Sequence, residues 1–275
     1  MTCTINLKGI IINKNSLHSY PLISYVIPMQ RRKHDHLEWL EFDILSDIPK
    51  LHHAVILRQG VSGPSSSDKM IEDEGFKQDQ LQGIQRQLQH HSKRMVRGIG
   101  CHQDKIALVD GASSAEIPLH DGLMSAIPGH TLIMKHADCQ IALFYDPVRH
   151  AVANVHSGWR GSVKNIYAKA IDQMHAKFGS KPADLLVCIS PSLGPDNAEF
   201  INYASELPEE FWQFQVKPLY FDFWSISEWQ LQNAGILPHH IEIARLCTYS
   251  NPHDFFSYRR DKTIARQNAT YITLT

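Results

Sequence analysis

Residues 136–178 constrain the fold most. They contain a continuous apolar run, Ile141–Tyr145 (IALFY), and a second strand pattern, Ala151–Val155 (AVANV), split by Asp146-Pro147. Short uninterrupted apolar runs bounded by turn residues are the pattern of strands buried on both faces. The Asp-Pro step makes a turn, so the two strands pair as a hairpin. Cys139 stands just before the first strand, in His136-Ala-Asp-Cys139. His156 stands at the end of the second, in His156-Ser-Gly-Trp-Arg-Gly161. In a hairpin the start of one strand lies beside the end of the other, which brings this thiol and imidazole to one edge of a sheet. Together they suit zinc or copper better than magnesium or calcium.

Gly158 and Gly161 flank Trp159 and Arg160 where this strand passes into an amphipathic helix, expected over Ser162–Phe178 and ending at Gly179. A strand-to-helix turn of this kind offers backbone N–H groups and a positive helix end to an anion, and Arg160 adds a bidentate fork. A third metal ligand is less defined. His102, in Gly100-Cys-His-Gln-Asp104 before an expected strand Ile106–Val109, is one candidate. His120, His130 and His136 lie nearer Cys139 in sequence, and spacing does not choose among them.

Further strands are expected at Ala54–Leu57, Thr131–Lys135, Leu185–Ile189, Ile241–Ala244 and Thr270–Leu274, with helices over Phe76–His91, Ile201–Gln215 and Ser225–Ala234. Gly63–Glu74 is polar and Ser-rich and reads as a loop. Strands and helices mix without strict alternation, which indicates a single α+β domain over residues 51–275, with residues 1–50 an N-terminal extension packed on it. Charged residues make up 20% of the chain and the net charge is −1, so no large field of one sign exists to hold nucleic acid or an anionic membrane. The five cysteines, Cys3, Cys101, Cys139, Cys188 and Cys247, are odd in number and without a CxxC pair. They read as reduced thiols of a cytoplasmic protein.

The string HADCQIALFYDP followed by NVHSGWRG resembles the signature of the YfiH-like, laccase-domain family, also called multicopper polyphenol oxidoreductases and described as purine nucleoside phosphorylases. Ile189–Pro195 (ISPSLGP), Cys247-Thr-Tyr and Phe255–Asp261 (FFSYRRD) resemble its later motifs in order. The resemblance covers about residues 54–275. It implies mixed β-sheets in a sandwich-like core flanked by helices, the fold shared with cytotoxic-necrotizing-factor-like toxins. It also implies a metal held by one Cys and two His, which selects His102 beside Cys139 and His156, and a substrate-pocket arginine at Arg58. The chain departs from the family pattern at His136, Ser157, Gly100 and Gln103, and the GPSSSDKM stretch after Ser62 lacks the usual Asn.

Two His and one Cys leave a tetrahedral position open, the mark of a catalytic zinc, with copper the other candidate. Such a site suits attack of water on C6 of adenosine with loss of ammonia. The resemblance implies phosphorolysis of adenosine, inosine and methylthioadenosine to the free base and the (methylthio)ribose 1-phosphate. Arg58, Arg160 and the Gly158–Gly161 backbone are candidates to hold phosphate, and Asp138 to orient a metal-bound His or move a proton. The expected partners are purine nucleosides and phosphate, with the chain a monomer or weak homo-oligomer. Two other enzymes remain open: a copper-dependent phenol oxidase, and a metal-independent hydrolase with Cys139 as nucleophile.

Overall fold

The structure is a computed structural model and describes residues 29–34, 37–58, 83–85, 88, 91–262 and 266–275. The expected loop Gly63–Glu74 and the stretch after Ser62 lie outside the described residues, as does most of Phe76–His91. In chain order the described strands are β1 (Met29–His34), β2 (Leu37–Phe42), β3 (Leu51–Ile56), β4 (Arg94–Ile99), β5 (Ile106–Leu108), β6 (Glu116–Pro118), β7 (Gly122–Ser125) and β8 (His130–His136). They continue as β9 (Gln140–Asp146), β10 (Ala151–Ser157), β11 (Leu186–Ile189), β12 (Gln215–Lys217), β13 (Tyr220–Phe221), β14 (Ile241–Ile243) and β15 (Asn268–Leu274). Among the described residues, seven strands form one sheet in the order β1-β2-β3-β15-β8-β4-β6, and six form a second in the order β14-β11-β9-β10-β7-β5. Both sheets mix parallel and antiparallel pairs.

The two sheets stack. Alternate residues of each strand face opposite ways, so Ile141 and Leu143 of β9 pack with Leu132, Met134 and Ile272 of the other sheet. Phe144 of the same strand points the other way, into a second apolar layer with Tyr167, Ile171, Met174 and Leu231. A third layer, with Ile133 and Tyr271, is covered by Ile84 and Leu88, both helical residues. The result is a sandwich of mixed sheets flanked by helices, as expected. Two polar ties fix the sheets against each other. The buried Asn154 amide of β10 donates to the carbonyls of Leu132 and Thr270 at 3.0 and 2.8 Å. The Glu242 carboxylate of β14 accepts from the N–H groups of Asp43 and Ile44 at 3.0 and 2.8 Å, at the start of helix α1 (Asp43–Ser46).

Several elements differ from the sequence reading. β1 and β2, for which the sequence reading named no strands, pair with each other, and β2 pairs with β3 through Trp39↔Ile56 and Leu40↔Val55. The expected helix Ser162–Phe178 is two helices, α2 (Trp159–Val163) and α3 (Ile166–Phe178). Asn165 breaks them apart in a left-handed conformation, φ 49°, and its side chain caps α3 by accepting from the Ala168 N–H. Helix Ile201–Gln215 is not formed. A short helix, α4 (Tyr203–Glu206), stops at extended Leu207, and Glu209–Phe214 is a 3₁₀ segment. Pro208 accounts for the stop, because the residue before a proline is driven out of the helical region. Helix α5 (Phe223–Asn233) starts two residues earlier than expected, capped by the Asp222 carboxylate.

One buried imidazole sets an acid limit on stability. The Phe42 N–H donates to Nε2 of His53 at 2.7 Å, which requires a lone pair there. Burial first, and neighbouring His52 second, hold the His53 pKa down at about 3, against an ordinary 6.5. The unfolded chain therefore takes up the proton at higher pH than the folded one. Stability from this group is complete above pH 6.5 and is lost as pH falls towards 3. Each pH unit across that window is worth about 1.4 kcal/mol. Denaturant titrations between pH 7 and 4 should show a shallower acid loss in His53→Gln, which keeps an acceptor for Phe42 and does not titrate. Identical slopes would contradict this.

Candidate metal centre

The expected hairpin forms, and its register sets Ala151 opposite Asp146 and His156 opposite Ile141. Cys139 precedes β9 and so falls beside His156 at the sheet edge. Asp138 turns the chain into β9 with a positive φ of 78°. His102 arrives from the loop after β4, itself left-handed at φ 57°. The ligand atoms of His102, Cys139 and His156 all lie within 4.8 Å of one another. The two imidazoles meet edge to face with centroids 5.1 Å apart. Gly158 permits this approach: a Cβ there would stand 3.1 Å from Cys139 Sγ and 3.3 Å from His102 Cδ2.

The electrostatics favour a charged thiolate. Burial opposes ionisation of Cys139, but the His156 charge and hydrogen bonds from His102 and His156 outweigh it and bring the thiol down to about 6. Burial likewise opposes charge on His156, and is outweighed by Cys139 and Asp121, which push its pKa up. Tetrahedral ligands at zinc bond lengths sit roughly 3.5 Å apart. One sulfur and two ring nitrogens within 4.8 Å fit a single such ion. His156 is buried, Cys139 half-buried and His102 exposed, so the cluster is open on one side.

That side faces a cavity of about 950 Å³, lined by all three residues together with Trp159, Phe200, Phe223, Tyr258 and Arg160, a volume typical of small-molecule sites. Arg160 lies over the Trp159 ring, 4.2 Å from its centroid. Asp138 lines the cavity, but both of its carboxylate oxygens are engaged, by the Thr248 hydroxyl and the Arg259 N–H, each at 2.6 Å. It anchors the C-terminal helix α6 (Tyr258–Asp261) rather than touching an imidazole. Arg58 is absent from the lining; its guanidinium donates to the Pro252 carbonyl at 3.2 Å and stacks over Phe256.

The carboxylate that does reach an imidazole is Asp121, which sequence reasoning missed. His156 Nδ1 donates to Asp121 Oδ1 at 3.2 Å. The only local signal was an acid directly before a strand, in His120-Asp-Gly122, which reads equally well as a turn. Burial alone would raise its pKa, but His156 and the N–H groups of Gln103 and His102 outweigh that and hold it well below the usual carboxylate range. His136, which the alternatives for a third ligand included, is not in the cluster. Its Nδ1 donates to the Cys139 carbonyl at 3.0 Å, and Nε2 accepts from the Thr270 hydroxyl at 3.0 Å.

A two-sheet sandwich carrying a two-imidazole, one-thiolate cluster at the mouth of an aromatic cavity defines a class of candidate metal-dependent small-molecule enzymes. The chain belongs to the family described as multi-copper polyphenol oxidoreductase laccase, whose model matches residues 66–275. Among its relatives, a Bacteroides thetaiotaomicron protein named purine nucleoside phosphorylase is 27% identical over 244 residues, covering 80% of this chain and 90% of that one. A Shigella flexneri protein named purine nucleoside phosphorylase YfiH is 32% identical over 162 residues, covering 56% of this chain and 63% of that one. The crystal structure of YfiH from Bacillus licheniformis superposes with a TM-score of 0.76 at 23% identity, over 89% of this chain and 99% of the other.

Proposed function

We propose that the chain is a zinc-dependent purine nucleoside phosphorylase that cleaves adenosine, inosine and methylthioadenosine, with adenosine deamination as a second outcome at the same site. The observation that carries this reading is the cluster of His102, Cys139 and His156, open towards a cavity of nucleoside size. The names of the relatives supply the substrate class. Zinc held there supplies Lewis acidity and lowers the pKa of a water to about 7. The protein's own groups do the rest. Trp159, Phe200, Phe223 and Tyr258 offer flat apolar faces to a purine. Arg160 sits exposed on the cavity wall, where its guanidinium matches a phosphate. Phosphate attack forms an O–C1′ bond as the C1′–N bond to the base breaks. In Arg160→Ala the KM for phosphate should rise about tenfold or more while nucleoside KM changes little, as initial rates would show; an unchanged phosphate KM removes Arg160 from that role.

The phenol-oxidase reading needs several copper sites, and among the described residues one cluster of three candidate ligands is found. The cysteine-hydrolase reading draws on the lowered Cys139 thiol beside His156. Chelation separates it from ours. Dialysis against a strong chelator should abolish inosine phosphorolysis and zinc should restore it, whereas a thiolate nucleophile keeps working without metal. We place the enzyme in the cytoplasm, acting on free nucleosides.

A further inference from the structure

Asp121 is fully buried, and burying a carboxylate is costly unless its oxygens are fully used. Here they are. Oδ1 accepts from the N–H groups of Cys101 and His102 at 3.1 and 2.9 Å, and from His156 Nδ1 at 3.2 Å. Oδ2 accepts from the Gln103 N–H at 2.8 Å and faces Cys101 Sγ at 3.5 Å. Its main chain joins the same pieces: the Asp121 carbonyl accepts from the His156 N–H at 2.7 Å, and its N–H donates to the Lys105 carbonyl at 2.8 Å. Three successive N–H groups aimed at one anion form a nest, and this nest contains the left-handed residue His102. Gly100 leaves room for it, since a Cβ there would fall 2.7 Å from Asp121 Oδ1.

We propose that Asp121 is the positioning residue that assembles the metal centre from two separate chain segments. It folds the 101–103 loop around its carboxylate, which places His102. It also holds the proton of His156 on Nδ1, which leaves the Nε2 lone pair for the metal. A carboxylate behind a ligating imidazole fixes both tautomer and ring orientation, and here the same carboxylate shapes the backbone of the second imidazole ligand. The proposal rests on the reading of this cluster as a metal centre.

The test is zinc affinity, measured by competition with a chromophoric chelator and without nucleoside. Asp121→Asn should bind zinc about ten- to a hundredfold more weakly than the unaltered protein, because an amide NH₂ must face one of the N–H or ring donors. Asp104→Asn is the control. Asp104 ties the same loop to Lys164 and Lys169 without touching a ligand, and its loss should change zinc affinity less than about threefold. Wild-type affinity in Asp121→Asn, or an equal loss in both variants, overturns the proposal. Should Asp121→Asn not fold, ¹⁵N-labelled histidine in the unaltered zinc-loaded protein decides: the His156 ring must show a protonated Nδ1, and a metal-bound or bare Nδ1 contradicts it. A protein that binds zinc in this way yet turns over no nucleoside sinks the proposed function and leaves the role of Asp121 standing.

Discussion

Replacing Cys139 with alanine should leave a folded protein that neither retains zinc nor cleaves nucleosides. The thiol is half-buried at a sheet edge, outside the apolar layers, so its removal opens no core cavity. What disappears is the one sulfur among the three donors and the one anionic ligand. Two imidazoles remain, one of them exposed, and they hold a divalent ion weakly on their own. If the metal supplies several kcal/mol of transition-state stabilisation, turnover should drop by about a thousandfold or more. Three readouts check this: metal per chain by atomic absorption, inosine phosphorolysis, and the thermal midpoint of the metal-free protein. The first two should collapse and the third should stay within a few degrees of metal-free wild type. Full zinc content with normal phosphorolysis would end it.

Phe144→Ala should cost a large share of the fold's stability. Phe144 is fully buried in the middle of β9 and packs towards α3, its ring 6.4 Å from that of Tyr167. Truncating a buried phenylalanine costs about 3–5 kcal/mol through lost burial and the cavity left behind. In a chain of this size that corresponds to a fall of roughly 10 °C in the melting midpoint. The strand would still follow Cys139 and pair with β10, so the folded fraction should bind zinc at full stoichiometry. A shift under about 2 °C would show that the helix layer relaxes onto the gap, and that the packing described here carries less of the stability than its burial indicates.

The part of the site written into the sequence is the part made by local pairing. IALFY is apolar throughout, and AVANV at all but the hydrogen-bonded Asn154, because both faces of β9 and β10 are covered. That pattern fixes the hairpin, and the hairpin fixes Cys139 beside His156. His102 was beyond spacing arguments because its position depends on a left-handed loop wrapped around a carboxylate nineteen residues away, and only the family resemblance selected it. Asp121 was hidden for the same reason, since all of its side-chain partners are distant in sequence. β4 (RMVRGI) carries no clean alternation. Its Gly98 exists for close packing, as a Cβ there would lie 2.3 Å from Met134 Sδ. The break between α2 and α3 was legible in principle, because Asn165 stands three residues before the Ala168 N–H it caps, the usual N-cap spacing. The amphipathic run on both sides hid it. Arg58 was placed by the resemblance alone, since the direction of its guanidinium, towards Pro252 and Phe256, depends on contacts nearly two hundred residues away.

On the proposed reading, a metal at His102, Cys139 and His156 serves purine nucleoside cleavage. Product analysis of adenosine incubated with phosphate and the zinc-loaded protein tests it most directly. Adenine and ribose 1-phosphate should form in equal amounts, with a smaller share of inosine, all lost on chelation and regained with zinc. Unchanged adenosine, or the same products from the fully chelated protein, would contradict it.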